Sequence, residues 1–242
     1  MPPVLEAKGV SAGYGGQPVV YDLNLTLNPG EVVCLLGPNG AGKTTTILAL
    51  TGVLPLLGGE VFLDGQPTRQ PLHRRARGGM AYVSEERSVF KKLSVLDNLR
   101  VAGVEPDDAI AMFPELEKRL TVRGGLISGG EQQMLTLGRA IARKPRLLLA
   151  DELSLGLAPL IVDRLLRVVR ETADRENMAV LMVEQHAHKA LRYADRAIVM
   201  RRGRVEMDLS GEEARQRIGD VQQAYLTSAS GSNAAGERLV AG

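Results

Sequence analysis

The stretch Gly37-Pro38-Asn39-Gly40-Ala41-Gly42-Lys43-Thr44 constrains this chain more than any other feature. It follows an apolar run, Glu31–Leu36, and leads into the helix-forming stretch Thr44–Leu50. A loop with the spacing G-x-x-x-x-G-K-[ST] between a buried strand and a helix is built to hold phosphate. Its glycines let successive backbone N–H groups turn inward around phosphate oxygens, and the helix adds the positive end of its dipole. On that reading Lys43 reaches the β- and γ-phosphates and the Thr44 hydroxyl binds Mg²⁺, with Thr45 next in the nucleotide-binding set. Taken alone, the loop indicates a P-loop nucleotide binder and nothing narrower.

Such a loop requires a parallel sheet around it, and the rest of the chain supplies the strands. Ala81–Val83, Leu147–Ala150 and Ala179–Val183 are short apolar runs without polar alternation, as in strands covered on both faces. The amphipathic stretch Pro159–Asp174 and the run Ala187–Tyr193 read as helices. Before the loop, Val4–Leu27 alternates apolar and polar residues around Gly13, Gly15, Gly16 and Asn28-Pro29-Gly30, a pattern of antiparallel strands and turns; Gly58–Leu63 adds another strand. Residues 87–143 carry helical patterns. Ser94-Val95-Leu96-Asp97 resembles a capping box, and Ser128-Gly129-Gly130-Glu131 opens a helix striped with Met134, Leu137 and Ile141 and stopped by Pro145. The expected architecture is α/β: a parallel-sheet core, an N-terminal antiparallel β-subdomain and a helical subdomain, in one folded unit over residues 1–227. The small, polar residues 228–242 read as a disordered tail.

Composition narrows the partners. At 242 residues and 44% hydrophobic the chain can bury a sizeable core, and its net charge of +2 points to no polyanion. Aromatics make up 3% and Trp is absent, which argues against base stacking, so no nucleic-acid partner is expected. The basic run His73, Arg74, Arg75, Arg77 reads as a solvated loop. The single cysteine, Cys34, lies in an apolar run and reads as buried packing. No apolar run approaches the ~20 residues that cross a bilayer, and the N-terminus lacks a signal-peptide plan.

Two carboxylates, Asp151 and Glu152, end the apolar run Leu147–Ala150, and ligands of parallel sheets bind at that end of the strands. Asp151 is expected to hold Mg²⁺ through water and Glu152 to orient or deprotonate the attacking water. His186, just past Ala179–Val183, suits a contact to the γ-phosphate and that water, whereas His188 reads as surface. Tyr14, beside glycines, offers a flat ring for adenine. The order of these features implies an ATP-binding and ATP-hydrolysing enzyme.

Leu126-Ile127-Ser128-Gly129-Gly130-Glu131-Gln132-Gln133 resembles the signature sequence of ABC ATPases. The resemblance implies a head-to-tail pair in which one subunit's phosphate loop and the other's Ser128, Gly129 and Gly130 enclose each ATP. Within that family the chain, over roughly residues 4–226, is similar to the shorter ATP-binding subunit of branched-chain amino-acid importers. The similarity rests on Ala81-Tyr82-Val83-Ser84-Glu85-Glu86-Arg87-Ser88-Val89-Phe90, Glu131–Leu135, Ser154–Pro159 and Ala224-Tyr225-Leu226. Glu85 stands where most ABC ATPases carry a glutamine that senses Mg²⁺ and water. The chain departs from the wider pattern at Leu153, where proline is usual, at Ala158, where aspartate is common, and at Ser84, Glu86 and Ile127.

What the resemblance implies is a peripheral subunit on the cytoplasmic face of the cell membrane. It would work with transmembrane permease subunits, a second ATP-binding subunit (identical or different) and, indirectly, an extracytoplasmic solute-binding protein. The surface Glu85–Asn98 would receive a short permease helix. The cargo would be a branched-chain or other hydrophobic amino acid. A urea or short-amide importer, an ABC exporter, and a non-transport ATPase acting on ribosomes or nucleic acid remain as alternatives.

Overall fold

The computed structural model describes residues 2–184 and 187–221. The chain opens with a hairpin of β1 (Leu5–Tyr14) and β2 (Gln17–Leu27), then β3 (Val32–Leu36), the phosphate loop and α1 (Lys43–Thr51). β4 (Leu56–Leu63), the two-residue β5 (Gln66–Pro67), α2 (Leu72–Arg77) and β6 (Met80–Val83) follow. The helical segment holds α3 (Val95–Val101), α4 (Pro106–Met112), a 3₁₀ stretch (Pro114–Arg119) and α5 (Gly129–Ala142). The chain returns through β7 (Leu147–Asp151), α6 (Pro159–Glu176), β8 (Ala179–Val183), α7 (Ala187–Ala190), β9 (Arg196–Arg201), β10 (Arg204–Ser210) and α8 (Gly211–Gln216).

Two sheets result. The antiparallel one runs β2-β1-β4-β5; the other runs β10-β9-β3-β8-β7-β6, with every pair parallel except the β9–β10 edge hairpin. Strand period divides the core in two. Val32, Cys34 and Leu36 of β3 face one hydrophobic cluster together with Leu148, Ala150, Val180 and Met182, against α5 and α6. Val33 and Leu35, with Leu147, Leu149 and Leu181, face the other, against α1 and the antiparallel sheet. The apolar runs lack alternation because both faces of each strand are covered. Cys34 is buried and free, as expected.

The helix starts follow their caps with one difference. At α5 the capping box is complete: Ser128 Oγ accepts from the Glu131 N–H, and Glu131 accepts the Ser128 N–H. At α3 Ser94 accepts the Asp97 N–H at 3.0 Å, but the Asp97 carboxylate takes the Ser94 hydroxyl at 2.6 Å. Aspartate is one methylene shorter than glutamate, so the expected reciprocal box is half made. Three other expectations are corrected. The basic run is no solvated loop: it forms α2, with Arg75 buried and donating to Leu50 O and Gln70 O, so that it closes the C-terminal turn of α1. Asn98 is fully buried rather than part of a docking surface. Its amide bonds Phe90 in both directions and also reaches Leu93 O and Ser94 O. The helix expected over Ala187–Tyr193 ends at Ala190 and continues as turn.

Candidate active site

The phosphate loop joins the C-terminal end of β3 to α1, and its backbone needs glycine. Gly37 has φ 152° and a Cβ there would lie 2.4 Å from Met200 O; Gly42, the residue before α1, has φ 100°. Lys43 is buried, and its Nζ donates to Gly37 O at 2.8 Å and to Pro38 O at 3.1 Å. Two of its three donors therefore hold the ammonium over the loop. Burial pulls the Lys43 pKa below its ordinary value, while the Glu152 and Asp151 carboxylates push it back up.

A cavity of about 350 Å³ opens here. One wall is Asn39, Gly40, Gly42, Lys43, Thr44 and Thr45; Glu85 and Glu152 face it from the other strands, and Val19 of β2 closes a side. The cavity sits at the C-terminal ends of the parallel strands, where the fold places ligands. A larger cavity of about 500 Å³, near Leu54, Thr68 and Arg75, contains none of the expected site residues.

Asp151 ends β7, paired with Val183 of β8. Burial raises its carboxyl pKa to about 6; the Thr44 hydroxyl, hydrogen-bonded to it, draws the value down, and the Glu152 and Glu85 charges add to the rise. Asp151 Oδ1 is buried with no hydrogen-bond partner among the described residues. A hydroxyl paired with a carboxylate that has one open acceptor suits Mg²⁺, a hard cation that keeps several waters and takes its other oxygens from substrate phosphate. Among the described residues no cluster of three His, Cys, Asp or Glu forms a protein-only metal cage. An ion held largely by substrate and water needs none.

Of the remaining expected residues, Glu85 is exposed and lines the cavity. Tyr14 ends β1 and is 53% exposed, outside the cavity lining. Ser128, Gly129 and Gly130 begin α5 and do not line it either. His188 is exposed. His186, like Ala224-Tyr225-Leu226 and residues 228–242, lies outside the described residues.

Sequence reasoning passes over two side chains around the site. Arg87 lies across the start of α5, close enough that a Cβ on Gly129 would lie 2.7 Å from its Nη1, and it donates to Leu155 O at 3.4 Å. It thereby ties the signature helix to the loop after Glu152. Glu184, one residue past β8, is buried within electrostatic reach of Asp151 and Glu152 and accepts the Ser154 hydroxyl. Neither has a local signal: a lone arginine beside glutamates reads as solvated, and Glu184 reads as a spacer.

Comparison with known proteins agrees with this geometry. Residues 20–154 match the family described as ABC transporter. The high-affinity branched-chain amino acid transport ATP-binding protein BraG of Pseudomonas aeruginosa is 40% identical over 84% of this chain and 91% of its own length. The lipopolysaccharide export system ATP-binding protein LptB of Escherichia coli strain K12 is 36% identical over 82% of this chain and 87% of its own. Among solved structures, the ADP conformation of an ATP-binding cassette of an ABC transporter superposes with TM-score 0.82 at 22% identity, covering 93% of this chain and 99% of that one, a likeness of fold. With the phosphate loop, the paired carboxylates and the signature helix all present, the chain belongs to the ABC transporter family, as one of its nucleotide-binding ATPase cassettes.

Proposed function

We propose that this cassette is the ATP-hydrolysing subunit of a membrane importer for branched-chain or other hydrophobic amino acids. The observation that carries the proposal is the 40% identity to BraG across nearly the whole of both chains. Glu85, with Ser154–Pro159 after the carboxylates, supports the same branch. In this reading Lys43 and the loop amides of Gly37–Thr45 bind the triphosphate, and Tyr14 stacks on adenine. Thr44 and Asp151, with Glu85 nearby, would hold Mg²⁺, which neutralises charge developing on the phosphate oxygens. Glu152 orients or deprotonates the attacking water, and His186 contacts that water and the γ-phosphate.

Ser128, Gly129 and Gly130 act on the second subunit's nucleotide. A helix N-terminus presents unsatisfied N–H groups, and the γ-phosphate is the group that fills them. Hydrolysis removes that group, so the pair opens, and permease subunits bound to the cassettes follow. No described helix is long and apolar enough to cross a membrane, so the cassette would be held at the membrane's cytoplasmic face by its permease partners. A solute-binding protein outside would deliver the cargo.

A second reading, an exporter subunit, is favoured by the 36% identity to LptB. Isolation of the native complex followed by uptake of radiolabelled leucine, urea and acetamide into oriented vesicles separates the readings. ATP-dependent leucine uptake is the expected result. Uptake of urea or amide alone, or outward transport, would overturn the proposal.

A further inference from the structure

Glu152 occupies a backbone conformation that a non-glycine residue resists, with φ 50° in the left-handed region. Such strain persists only where the surroundings hold it. Two backbone bonds help: the Glu152 N–H donates to Val183 O at 3.0 Å, and the Leu155 N–H donates to Glu152 O at 3.2 Å. Two side-chain contacts anchor the same turn from outside it: Ser154 Oγ donates to Glu184 Oε2, and Arg87 Nη2 donates to Leu155 O at 3.4 Å. Ser154 and Glu184 are buried, and Glu184 Oε1 is buried with no hydrogen-bond partner among the described residues. A buried carboxyl costs free energy that a leucine would not. The Glu184 N–H also reaches Leu35 O at 3.3 Å, which fixes Glu184 at the ends of β3 and β8 together. Burial raises its pKa to about 7, and the Glu152 and Asp151 charges add to the rise. Glu184 does not line the nucleotide cavity.

We propose that Glu184 is a positioning residue for hydrolysis: by holding Ser154 it clamps the turn that keeps Glu152 facing the cavity. The inference rests on Glu152 being the hydrolytic carboxylate. Leu153, which follows Glu152, is buried and is no proline, so φ there is left to the surrounding contacts. The Ser154–Glu184 contact supplies one such constraint. Without it Glu152 relaxes toward negative φ and its carboxylate leaves the cavity, while the phosphate loop still binds nucleotide.

The test uses the full-length chain, with ATP turnover and the Kd of a fluorescent ATP analogue measured for Ser154→Ala, Glu184→Ala, Glu184→Gln and Lys43→Ala. Ser154→Ala and Glu184→Ala are expected to lower kcat about tenfold or more, with Kd changed less than about twofold. Glu184→Gln, whose amide oxygen still accepts from Ser154, is expected to keep at least about a third of kcat. The proposal is overturned if Ser154→Ala turns over within about twofold of wild type, if it loses binding and turnover together, or if Glu184→Gln is as impaired as Glu184→Ala. Should Glu184→Ala not fold, Ser154→Ala, which removes one hydroxyl, decides alone. Normal turnover in Lys43→Ala would instead reject the site itself; an inactive Lys43→Ala beside a normal Ser154→Ala would reject only the role of Glu184.

Discussion

The phosphate loop and the start of α5 are both glycine-rich helix N-termini, and they are built for different circumstances. The loop residues Asn39, Gly40, Gly42, Lys43, Thr44 and Thr45 share one cavity with Glu85 and Glu152, and Lys43 is fixed over the loop by two carbonyls. Ser128–Gly130 touch no such cavity; the Ser128 hydroxyl caps its own helix, and Arg119 braces Glu131 at 2.7 Å. This second N-terminus is equally well formed, with its capping box complete. In the proposed function that helix start is half of a site whose other half belongs to a second subunit.

Each half can be disabled separately. Lys43→Ala should have the largest effect, removing measurable turnover and weakening ATP binding, because no other described cation lines the cavity; wild-type kinetics would reject the loop. Glu152→Gln should cut turnover by roughly 10²–10⁴-fold, the usual weight of a general base, while ATP still binds. A variant hydrolysing at the normal rate would move the base elsewhere. Ser128→Ala should lower turnover about tenfold, as for a lost transition-state contact, and leave the ATP affinity of the separate chain unchanged. It also loses an N-cap, worth about 1 kcal/mol in a denaturant titration. Weakened binding to the separate chain would erase the contrast between the phosphate loop and the start of α5.

The smallest effect is one of pH. The Glu184 pKa rises from 4.5 to about 7 on folding. Across that interval the folded chain keeps a proton that the unfolded chain loses, so the carboxyl's destabilising contribution is absent below the unfolded value and complete above the folded one. Glu184→Gln should therefore raise Tm above pH 7 and leave it unchanged near pH 4.5. A shift equal at both values would show that the Glu184 pKa is not raised on folding.

What can be read from the chain depends on how far each contact reaches along it. The loop Gly37–Thr44, the Ser128–Glu131 cap and the strand ending at Asp151 are local patterns, and they fold as expected. Arg75 reads wrongly as solvated because its acceptors, Leu50 O and Gln70 O, become visible only when α2 packs against α1. Asn98 sits in a surface-like stretch, yet its amide is the hub of the turn before α3. Glu184 meets Ser154 only because β7 and β8 lie side by side, a neighbourhood that no sequence window contains.

The claim that the phosphate loop and the start of α5 belong to one composite site is tested most directly by association. The full-length Glu152→Gln chain, mixed with the ATPase subunit that co-purifies with it from membranes, would be followed by light scattering in Mg-ATP and in Mg-ADP. A stable pair in ATP that separates in ADP is the predicted result. Equal association in the two nucleotides, or none in either, would contradict it.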